Sequence, residues 1–361
     1  MRVLVLGGTW FLGRAVVEDA LGRGWSVTTF NRGRSQRDVP GVVAIHGDRT
    51  VETDLARLAA AGPWDVVVDT SGQEPWIVSA AVRALAEVAA RYVFLSTVTV
   101  YPDWPDQPVD ETSPVRPASA SMRADDPEAG VGRDAYGTLK AGAELAVRQV
   151  FGDKRSLILR PSVILGQGEY VGRLPWMLRR MAAGGEVLAA GDPERGIQVI
   201  DARDVAAFAL AAASDGLAGA FNLAAPEGAA TYGELWRACA DVTHAADRSQ
   251  LVWVSDEWLS RQDVKPWTEI PLWRTQPGTW RVDVGKAVAA GLTCRPLSET
   301  VADTWEWLRR EDPVASERQA EHGLDRHKET ALLAAWRRRT DVGHSEIVRP
   351  GPAGREVPTQ P

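Results

Sequence analysis

The segment Arg2-Val-Leu-Val-Leu-Gly7-Gly8-Thr-Trp10-Phe-Leu-Gly13 decides the fold of this chain. An apolar strand runs through glycines directly into an amphipathic helix, which we predict over Phe11–Leu21. Such a turn directs backbone N–H groups and the positive end of a helix towards a phosphate. Gly7 and Gly13 keep the outer spacing of a G-x-x-G-x-x-G fingerprint, and Trp10 takes the place of the middle glycine, which normally lets a pyrophosphate approach the backbone. The segment predicts a dinucleotide-binding site.

Strand and helix patterns alternate through the first 165 residues, which is typical of βαβ units in a parallel sheet. The apolar runs predict strands at Val3–Leu6, Ser26–Phe30, Val42–His46, Asp65–Asp69, Tyr92–Ser96 and Ser156–Arg160. The helical periods predict helices at Phe11–Leu21, Thr53–Ala60, Ile77–Ala89 and Asp134–Val150. We therefore expect an α/β fold, a Rossmann-type doubly wound parallel sheet with a smaller C-terminal substrate lobe.

The second half of the chain has a more mixed pattern. Residues 102–132 are rich in Pro, Asp, Ser and Ala and lack a period, so we expect a long loop over the carboxyl edge of the sheet. Later patterns predict helices at Trp176–Ala183, Val205–Ala213, Thr231–Thr243 and Glu317–Arg339, and strands at Gln198–Ile200 and Gln250–Val254. We divide the chain into a dinucleotide-binding domain (1–165, its sheet completed by later segments), a mainly substrate-binding lobe (166–310), a C-terminal helix (311–340) and a disordered tail (341–361).

The composition narrows the class of protein. The chain has 361 residues, 45% of them apolar, and a formal net charge of −7. This balance argues against a nucleic-acid partner, because phosphate neutralisation needs clustered positive charge. No stretch reaches the ~18 apolar residues of a membrane span, and the first strand directly follows Met1 without a signal peptide, so we expect a cytoplasmic protein. The five histidines and two cysteines show no ligand spacing, and we predict no metal site.

The sequence Tyr136-Gly-Thr-Leu-Lys140 indicates proton-transfer chemistry. A tyrosine and a lysine four residues apart share one helix face, and an ammonium group beside a phenol favours the phenolate. The tyrosine thereby becomes a usable proton donor or acceptor. The fifth strand ends in Ser96-Thr97-Val98-Thr99, where a hydroxyl can hydrogen-bond a substrate oxygen that gains or loses charge. Together with the glycine turn, these residues predict hydride transfer.

The end of the second strand, Phe30-Asn31-Arg32-Gly33-Arg34, indicates which cofactor is preferred. An enzyme that prefers the unphosphorylated cofactor usually places a carboxylate here for the ribose hydroxyls, and this chain has Asn31 instead. Guanidinium groups suit a 2′-phosphate, so Arg32 and Arg34 favour NADP(H) over NAD(H). Asp48, after the third strand, is a candidate contact for the adenine end.

In their order, these motifs resemble those of the extended and atypical short-chain dehydrogenase/reductase superfamily, the NAD-dependent epimerase/dehydratase group, over about residues 1–310. The resemblance implies that Tyr136 is the catalytic acid/base, that Lys140 holds the nicotinamide ribose, and that Thr97 is the third catalytic residue, with Ser96 as second choice. It implies a set of cofactor contacts: Gly7, Thr9, Trp10, Phe11, Leu12, Gly13, Asn31, Arg32, Arg34, Asp48, Thr70, Ser71, Ser96, Tyr136, Lys140 and Pro161. A homodimer is expected by analogy with the family.

Three functions remain in competition at this point. The first is an NADP(H)-dependent reductase or dehydrogenase acting on a small carbonyl or alcohol substrate. The second is a sugar-nucleotide epimerase or dehydratase with tightly bound NAD(P). Val163 argues against the second, because sugar-nucleotide enzymes of this group carry a substrate-binding Asn at that position and valine cannot donate a hydrogen bond. The third is a non-catalytic nucleotide-sensing or RNA-associated protein, against which Thr97, Tyr136, Lys140 and the net charge of −7 argue.

Overall fold

A computed structural model describes residues 1–34, 37–310 and 322–345 of the chain. The strands are β1 (Arg2–Leu6), β2 (Ser26–Asn31), β3 (Val43–His46), β4 (Trp64–Asp69), β5 (Ala89–Leu95), β6 (Ser156–Pro161), β7 (Val163–Leu165), β8 (Gly185–Ala190), β9 (Gly196–Ile197), β10 (Val199–Asp201), β11 (Gly219–Leu223), β12 (Ala230–Thr231) and β13 (Ser249–Val254). The helices are α1 (Phe11–Gly22), α2 (Glu52–Ala60), α3 (Pro75–Leu85), α4 (Gly132–Arg155), α5 (Arg173–Ala182), α6 (Ala202–Ser214), α7 (Tyr232–Val242), α8 (Asp256–Arg261), α9 (Gly285–Ala289), α10 (Leu297–Arg310) and α11 (Arg326–Ser345).

Seven parallel strands form the central sheet in the order β11-β6-β5-β4-β1-β2-β3. Strand β1 lies inside the sheet, where Val3 pairs with Val27 on one side and Val66 on the other. The strand order reverses between β1 and β4, and ligands of such sheets bind outside the carboxyl ends of the strands at this point. The predicted α/β fold of the Rossmann type is confirmed.

The interior strands of the sheet are buried on both faces, as is usual in parallel sheets. Successive residues of β4 show this: Val66 and Val68 join the core beneath α1 and α6, while Val67 joins the core beneath α3 and α4. Strand β11 and helix α6 come from the second half of the chain, so later segments complete this layer as expected.

The smaller lobe is built around strands β8 and β13, which pair in parallel, and helices α5, α7 and α10. Its core contains Trp236, which is fully buried among Leu174, Met177 and Val301. Helix α11 is tied to this lobe by the buried Glu329, which pairs with Arg180 at 2.8 Å and accepts a hydrogen bond from the backbone of Leu188 at 3.0 Å.

Several predicted boundaries are wrong. Strand β5 begins at Ala89 rather than Tyr92, and helix α3 ends at Leu85 rather than Ala89, because the carbonyl of Val88 already accepts a hydrogen bond from the backbone of Trp64. The C-terminal helix continues to Ser345, so the prediction of a disordered tail is wrong for residues 341–345. The predictions for residues 311–321 and 346–361 lie outside the described residues. No described helix combines the length and apolar character that a membrane crossing requires.

Candidate active site

The glycine turn after β1 has the shape of a phosphate cradle. Gly7 and Gly8 adopt positive φ angles of +110° and +94°, and a Cβ on Gly13 would lie 2.8 Å from the backbone nitrogen of Gly8. Helix α1 begins with no side-chain cap and no acidic residue in its first turn, so its N-terminal N–H groups and its dipole remain available for an anion. Trp10 has an extended backbone with φ −134°, which explains why a side chain is tolerated at this position. The turn fits the diphosphate of a nicotinamide dinucleotide.

Thr70 and Ser71, at the end of β4, close over this turn. Both hydroxyl groups donate to the carbonyl of Leu6 at 3.1 Å, and Thr70 Oγ1 occupies the space that a Cβ on Gly7 or Gly13 would need. The structure therefore brings these two predicted cofactor contacts to the same crevice as the glycines.

The end of β2 carries a basic segment beside two carboxylates, those of Asp38 and Asp48. Asn31 shapes the turn: its Oδ1 accepts from the backbone of Gly33 at 2.8 Å and its Nδ2 donates to Asp38 at 2.8 Å. Hydrogen bonds from Thr50 hold the pKa of Asp48 below its usual value, and the nearby charges of Arg32 and Arg34 lower it further.

Arg37 belongs to the same basic segment, and sequence reasoning missed it. Its guanidinium lies 5.4 Å from the ring centre of Trp10, directly beside the glycine turn. The sequence did contain an indication of its role, because Arg37 is the third arginine in the six-residue stretch that begins at Arg32.

The end of β5 presents two hydroxyl groups. The Oγ1 atoms of Thr97 and Thr99 are 2.6 Å apart, and Thr97 Oγ1 also accepts from the backbone of Thr99 at 3.2 Å. Ser96 points elsewhere, because its hydroxyl donates to the buried carboxylate of Glu144 at 2.5 Å. This arrangement leaves Thr97, with Thr99 as its neighbour, as the better candidate for contacting a substrate oxygen.

Lys140 connects helix α4 to the carboxyl ends of two strands. Its buried ammonium donates to the carbonyl of Gly72, after β4, at 2.7 Å and to the carbonyl of Leu95, in β5, at 2.5 Å. Burial lowers the pKa of Lys140 to about 8, although the charges of Asp69 and Glu144 oppose the change. At neutral pH the lysine is still mainly a cation.

Tyr136 lies one helical turn before Lys140 and is 44% exposed, so its side chain is accessible to solvent. The residue between them explains how α4 approaches the strand end: a Cβ on Gly137 would lie 2.2 Å from the carbonyl oxygen of Thr99. The structure thus brings Tyr136, Lys140 and the Thr97–Thr99 segment to one edge of the sheet.

A buried polar network supports this edge of the sheet. Its central residue, Glu144, was not predicted from the sequence. Glu144 pairs with Arg160 at 2.6 and 2.9 Å, Arg160 donates to the hydroxyl of Tyr101 at 2.8 Å, and that hydroxyl donates to Asn222 at 2.8 Å. The signal for Glu144 was its position four residues after Lys140, on the same helix face.

A second buried pair was also missed. The carboxylate of Asp69 accepts from Arg49 at 2.7 and 3.1 Å and from the hydroxyl of Tyr92 at 2.8 Å. The guanidinium of Arg49 therefore lies beside Ser71, which its Nη1 contacts at 3.3 Å. Within the described ranges no three His, Cys, Asp or Glu side chains are grouped as metal ligands.

The sheet is doubly wound, and the glycine turn after β1 leads into a helix without a side-chain cap. Lys140 lies at the same edge of the sheet as the hydroxyl-bearing residues Thr97 and Tyr136. Together these features define a dinucleotide-dependent enzyme. The family model described as the NAD dependent epimerase/dehydratase family matches residues 3–224, more than half of the chain, so the chain belongs to this family and uses a nicotinamide nucleotide. No curated protein matches the sequence.

Solved structures with the same fold cover most of the chain. The enzyme WbmH of Bordetella bronchiseptica, in complex with NAD+, has a TM-score of 0.65 at 18% identity, covering 87% of this chain and 99% of its own. The UDP-glucose 4-epimerase of Thermotoga maritima, with UDP-glucose, has a TM-score of 0.61 at 19% identity, covering 86% and 99%. The UDP-N-acetylglucosamine 4-epimerase of Bacillus cereus has a TM-score of 0.62 at 18% identity, covering 87% and 98%. At these identities the likeness shows the fold.

Proposed function

We propose that this enzyme is an epimerase or dehydratase acting on a sugar-nucleotide type of substrate with a retained nicotinamide cofactor. The observation that carries the proposal is the ammonium of Lys140, held between the carbonyls of Gly72 and Leu95, one helical turn from an accessible tyrosine. When bound, the nicotinamide group would accept and return a hydride, so the chain itself has to supply only binding, orientation and proton movement.

Each catalytic residue then has a defined task. The phenolate of Tyr136 takes the proton from a substrate hydroxyl during oxidation, and the resulting phenol returns it during reduction. The charge of Lys140 stabilises the phenolate that exists before the oxidation and is formed again by the reduction. The Thr97 hydroxyl, oriented by Thr99 at 2.6 Å, hydrogen-bonds the substrate oxygen whose charge changes.

The structure removes the main argument against this substrate class. Val163 is 5% exposed and belongs to the core of the smaller lobe, where β7 pairs with β10. Packing in that core is sufficient to explain a valine at this position. Its lack of a hydrogen-bond donor is therefore no argument against a sugar nucleotide as the substrate. Two of the structural neighbours, both UDP-sugar 4-epimerases, support the same class of substrate.

The cofactor contacts inferred from the sequence remain part of the proposal. Backbone groups of the turn from Gly7 to Gly13 would hold the diphosphate, with Thr70 and Ser71 beside it. The arginines at the end of β2, including Arg37, favour NADP(H) over NAD(H). Residues 1–165 would then mainly bind the cofactor and residues 166–310 mainly the substrate.

A net reductase is the second candidate, and the basic segment at the end of β2 favours it, because reductases generally draw on NADPH. Product analysis separates the two functions. The purified protein is denatured and its nucleotide quantified by chromatography, and intact protein is incubated with UDP, TDP and GDP sugars without added reductant. We expect co-purified NAD(P) and an epimerised or dehydrated product that the Tyr136→Phe variant fails to form. Turnover that requires stoichiometric NADPH would contradict the proposal in favour of the reductase.

A further inference from the structure

Arg49 and Asp69 form a buried ion pair at the carboxyl end of the main sheet. Asp69 is the last residue of β4 and is completely buried. Burial raises the pKa of its carboxyl group, but the charge and hydrogen bonds of Arg49 and the hydroxyl of Tyr92 bring this pKa below its ordinary value, so Asp69 is a carboxylate. A buried charge is unfavourable unless it is paired, and the chain nevertheless keeps one at this strand end.

Asp69 lies next to the turn that receives Lys140. Its Oδ1 accepts a hydrogen bond from the backbone N–H of Ser71 at 3.1 Å, which fixes the residue before Gly72. The carbonyl of Gly72 is one of the two backbone acceptors of the Lys140 ammonium. A Cβ on Gly72 would lie 2.8 Å from Asp69 Oδ2, so the carboxylate fills the space beside this glycine. The shape of the turn therefore depends on Asp69.

The neighbouring strand brings the same carboxylate close to the ammonium. Asp69 lies opposite Phe94 in the register of β4 and β5, and the next residue, Leu95, provides the second carbonyl that accepts from Lys140. The ammonium lies 4.1 Å from the ring centre of Phe94, whose Cε2 would be 2.9 Å from a Cβ on Gly72. The carboxylate, the ring and the ammonium thus surround one glycine. All three groups are buried, and electrostatic interactions are stronger there than in water.

The charged groups that face Lys140 have opposing effects on its pKa. Burial lowers this pKa to about 8, the charges of Asp69 and Glu144 raise it, and the charge of Arg49 lowers it. Glu144 lies on the same helix as Lys140 and pairs with Arg160 of β6 at 2.6 Å, whereas Asp69 and Arg49 come from the other side, after β4 and β3. At neutral pH, Lys140 therefore depends on these two carboxylates for its proton.

We infer that Asp69 is a positioning residue for Lys140: it fixes the turn that presents the Gly72 carbonyl and supplies a negative charge that keeps the ammonium protonated, and Arg49 limits the strength of that charge. A lysine that stays charged keeps the phenolate of Tyr136 available at higher pH. The inference rests on the proposed function only in giving Lys140 a part in turnover. The charge of Lys140 itself can be measured without any substrate.

Nuclear magnetic resonance of the full-length protein, with lysine labelled with ¹³C at Cε, reports the ionisation of Lys140. The chain has five lysines, and the signal of Lys140 is the one that Lys140→Arg lacks. Asp69→Asn keeps the shape of the side chain and an acceptor for Ser71 but removes the charge, so the midpoint of the Lys140 titration should fall by about one pH unit or more. Arg49→Gln removes the opposing charge, so the midpoint should rise.

Arg57→Gln is the matched control for Arg49→Gln. Arg57 is an exposed arginine of α2 that pairs with Asp54 at 2.9 Å, and its loss should leave the titration of Lys140 unchanged. Thermal unfolding establishes which variants are folded, and either Asp69→Asn or Arg49→Gln is sufficient for the test should the other fail to fold. An unmoved midpoint in either folded variant, or a shift of both in the same direction, would overturn the inference, because damage to the fold has no sign that follows the charge.

The pH profile of turnover is a second readout. The loss of turnover at high pH should begin at lower pH in Asp69→Asn and at higher pH in Arg49→Gln, following the two titrations. Titrations that shift in opposite directions in a protein that converts no sugar nucleotide would leave the role of Asp69 towards Lys140 standing and would refute the proposed function. Turnover with a titration of Lys140 that ignores Asp69 would do the reverse.

Discussion

Gly137 is the position at which a single methyl group should disturb catalysis most clearly. Its absent Cβ would lie 2.2 Å from the Thr99 carbonyl oxygen and 2.9 Å from the Nε of Arg116. A carbon and a carbonyl oxygen normally stay ~3.3 Å apart or more, so Gly137→Ala must push α4 from the strand end by about 1 Å. Alanine stabilises a helix by about 1 kcal/mol relative to glycine, whereas overpacking costs about 1–3 kcal/mol. We expect a net loss of stability of up to about 2 kcal/mol.

The effect on rate should be larger than the effect on stability. Tyr136 and Lys140 move with α4, while Thr97 stays with β5, and a misplacement of about 1 Å can lower a rate about 10²-fold. Urea unfolding gives the stability change, and turnover of the substrate found in the sugar-nucleotide screen gives the rate. Lys140 should lose its contact with the carbonyl of Leu95, so cofactor affinity should fall as well.

Gly22→Ala is the matched control for this substitution. Gly22 is the last residue of α1, its φ is negative, and a Cβ there would meet nothing within 4 Å. This variant should be unchanged or more stable by about 0.5 kcal/mol and fully active. If Gly137→Ala behaves like Gly22→Ala in both measurements, the close approach of α4 to Thr99 does not exist and the reasoning fails.

Further expectations concern individual side chains of the site. Tyr136→Phe should lower turnover about 10²–10⁴-fold with cofactor affinity nearly unchanged, as measured by fluorescence titration, because only the transferable proton is lost; full activity would remove the proposed chemistry. Arg32→Asp should weaken NADPH binding about tenfold or more relative to NADH, and tighter binding of NADH by the native protein would refute the arginine argument. Turnover should fall as pH rises through about 8, because Lys140 then loses the proton whose charge stabilises the Tyr136 phenolate. In Glu144→Gln this fall should shift to lower pH, because a negative charge that holds the proton on Lys140 is gone; an unmoved profile would show that Glu144 does not act on Lys140. The same variant should unfold more easily, by about 3–5 kcal/mol, because Arg160 is left buried without its partner.

The main sheet was predictable because its strands are continuous apolar runs of regular spacing. Val66, Val67 and Val68 alternate between two cores, a pattern that a short apolar run between helices already indicates. Strand β11 was not predicted, because Gly219 and Ala220 have little preference for a strand and their pairing with β6 is imposed by the fold. The two-residue strands β9 and β12 depend on each other in the same way.

The candidate catalytic residues could be proposed from the sequence because their sequence patterns are local. Tyr136 and Lys140 are one turn apart, and Thr97 follows a recognisable strand end. Asp69 and Arg49 pair across 20 positions of sequence, and Tyr101 donates a hydrogen bond to Asn222 across 121 positions, so no spacing reveals either association. Only the topology, which brings strand ends and lobe loops to one crevice, makes these contacts.

Val163 shows how a motif position can mislead about function. Its place in the run after β6 suggested a ligand-facing residue, and its apolar side chain then argued against a sugar nucleotide. Strand β7 pairs with β10 in a register that sets Val163 opposite Val199, and both side chains are buried in the core of the smaller lobe. A polar residue at this position would need a hydrogen-bond partner, because an unsatisfied buried polar group costs about 1–3 kcal/mol. The valine therefore reflects the packing of this core, and its apolar side chain neither supports nor excludes a sugar nucleotide as the substrate.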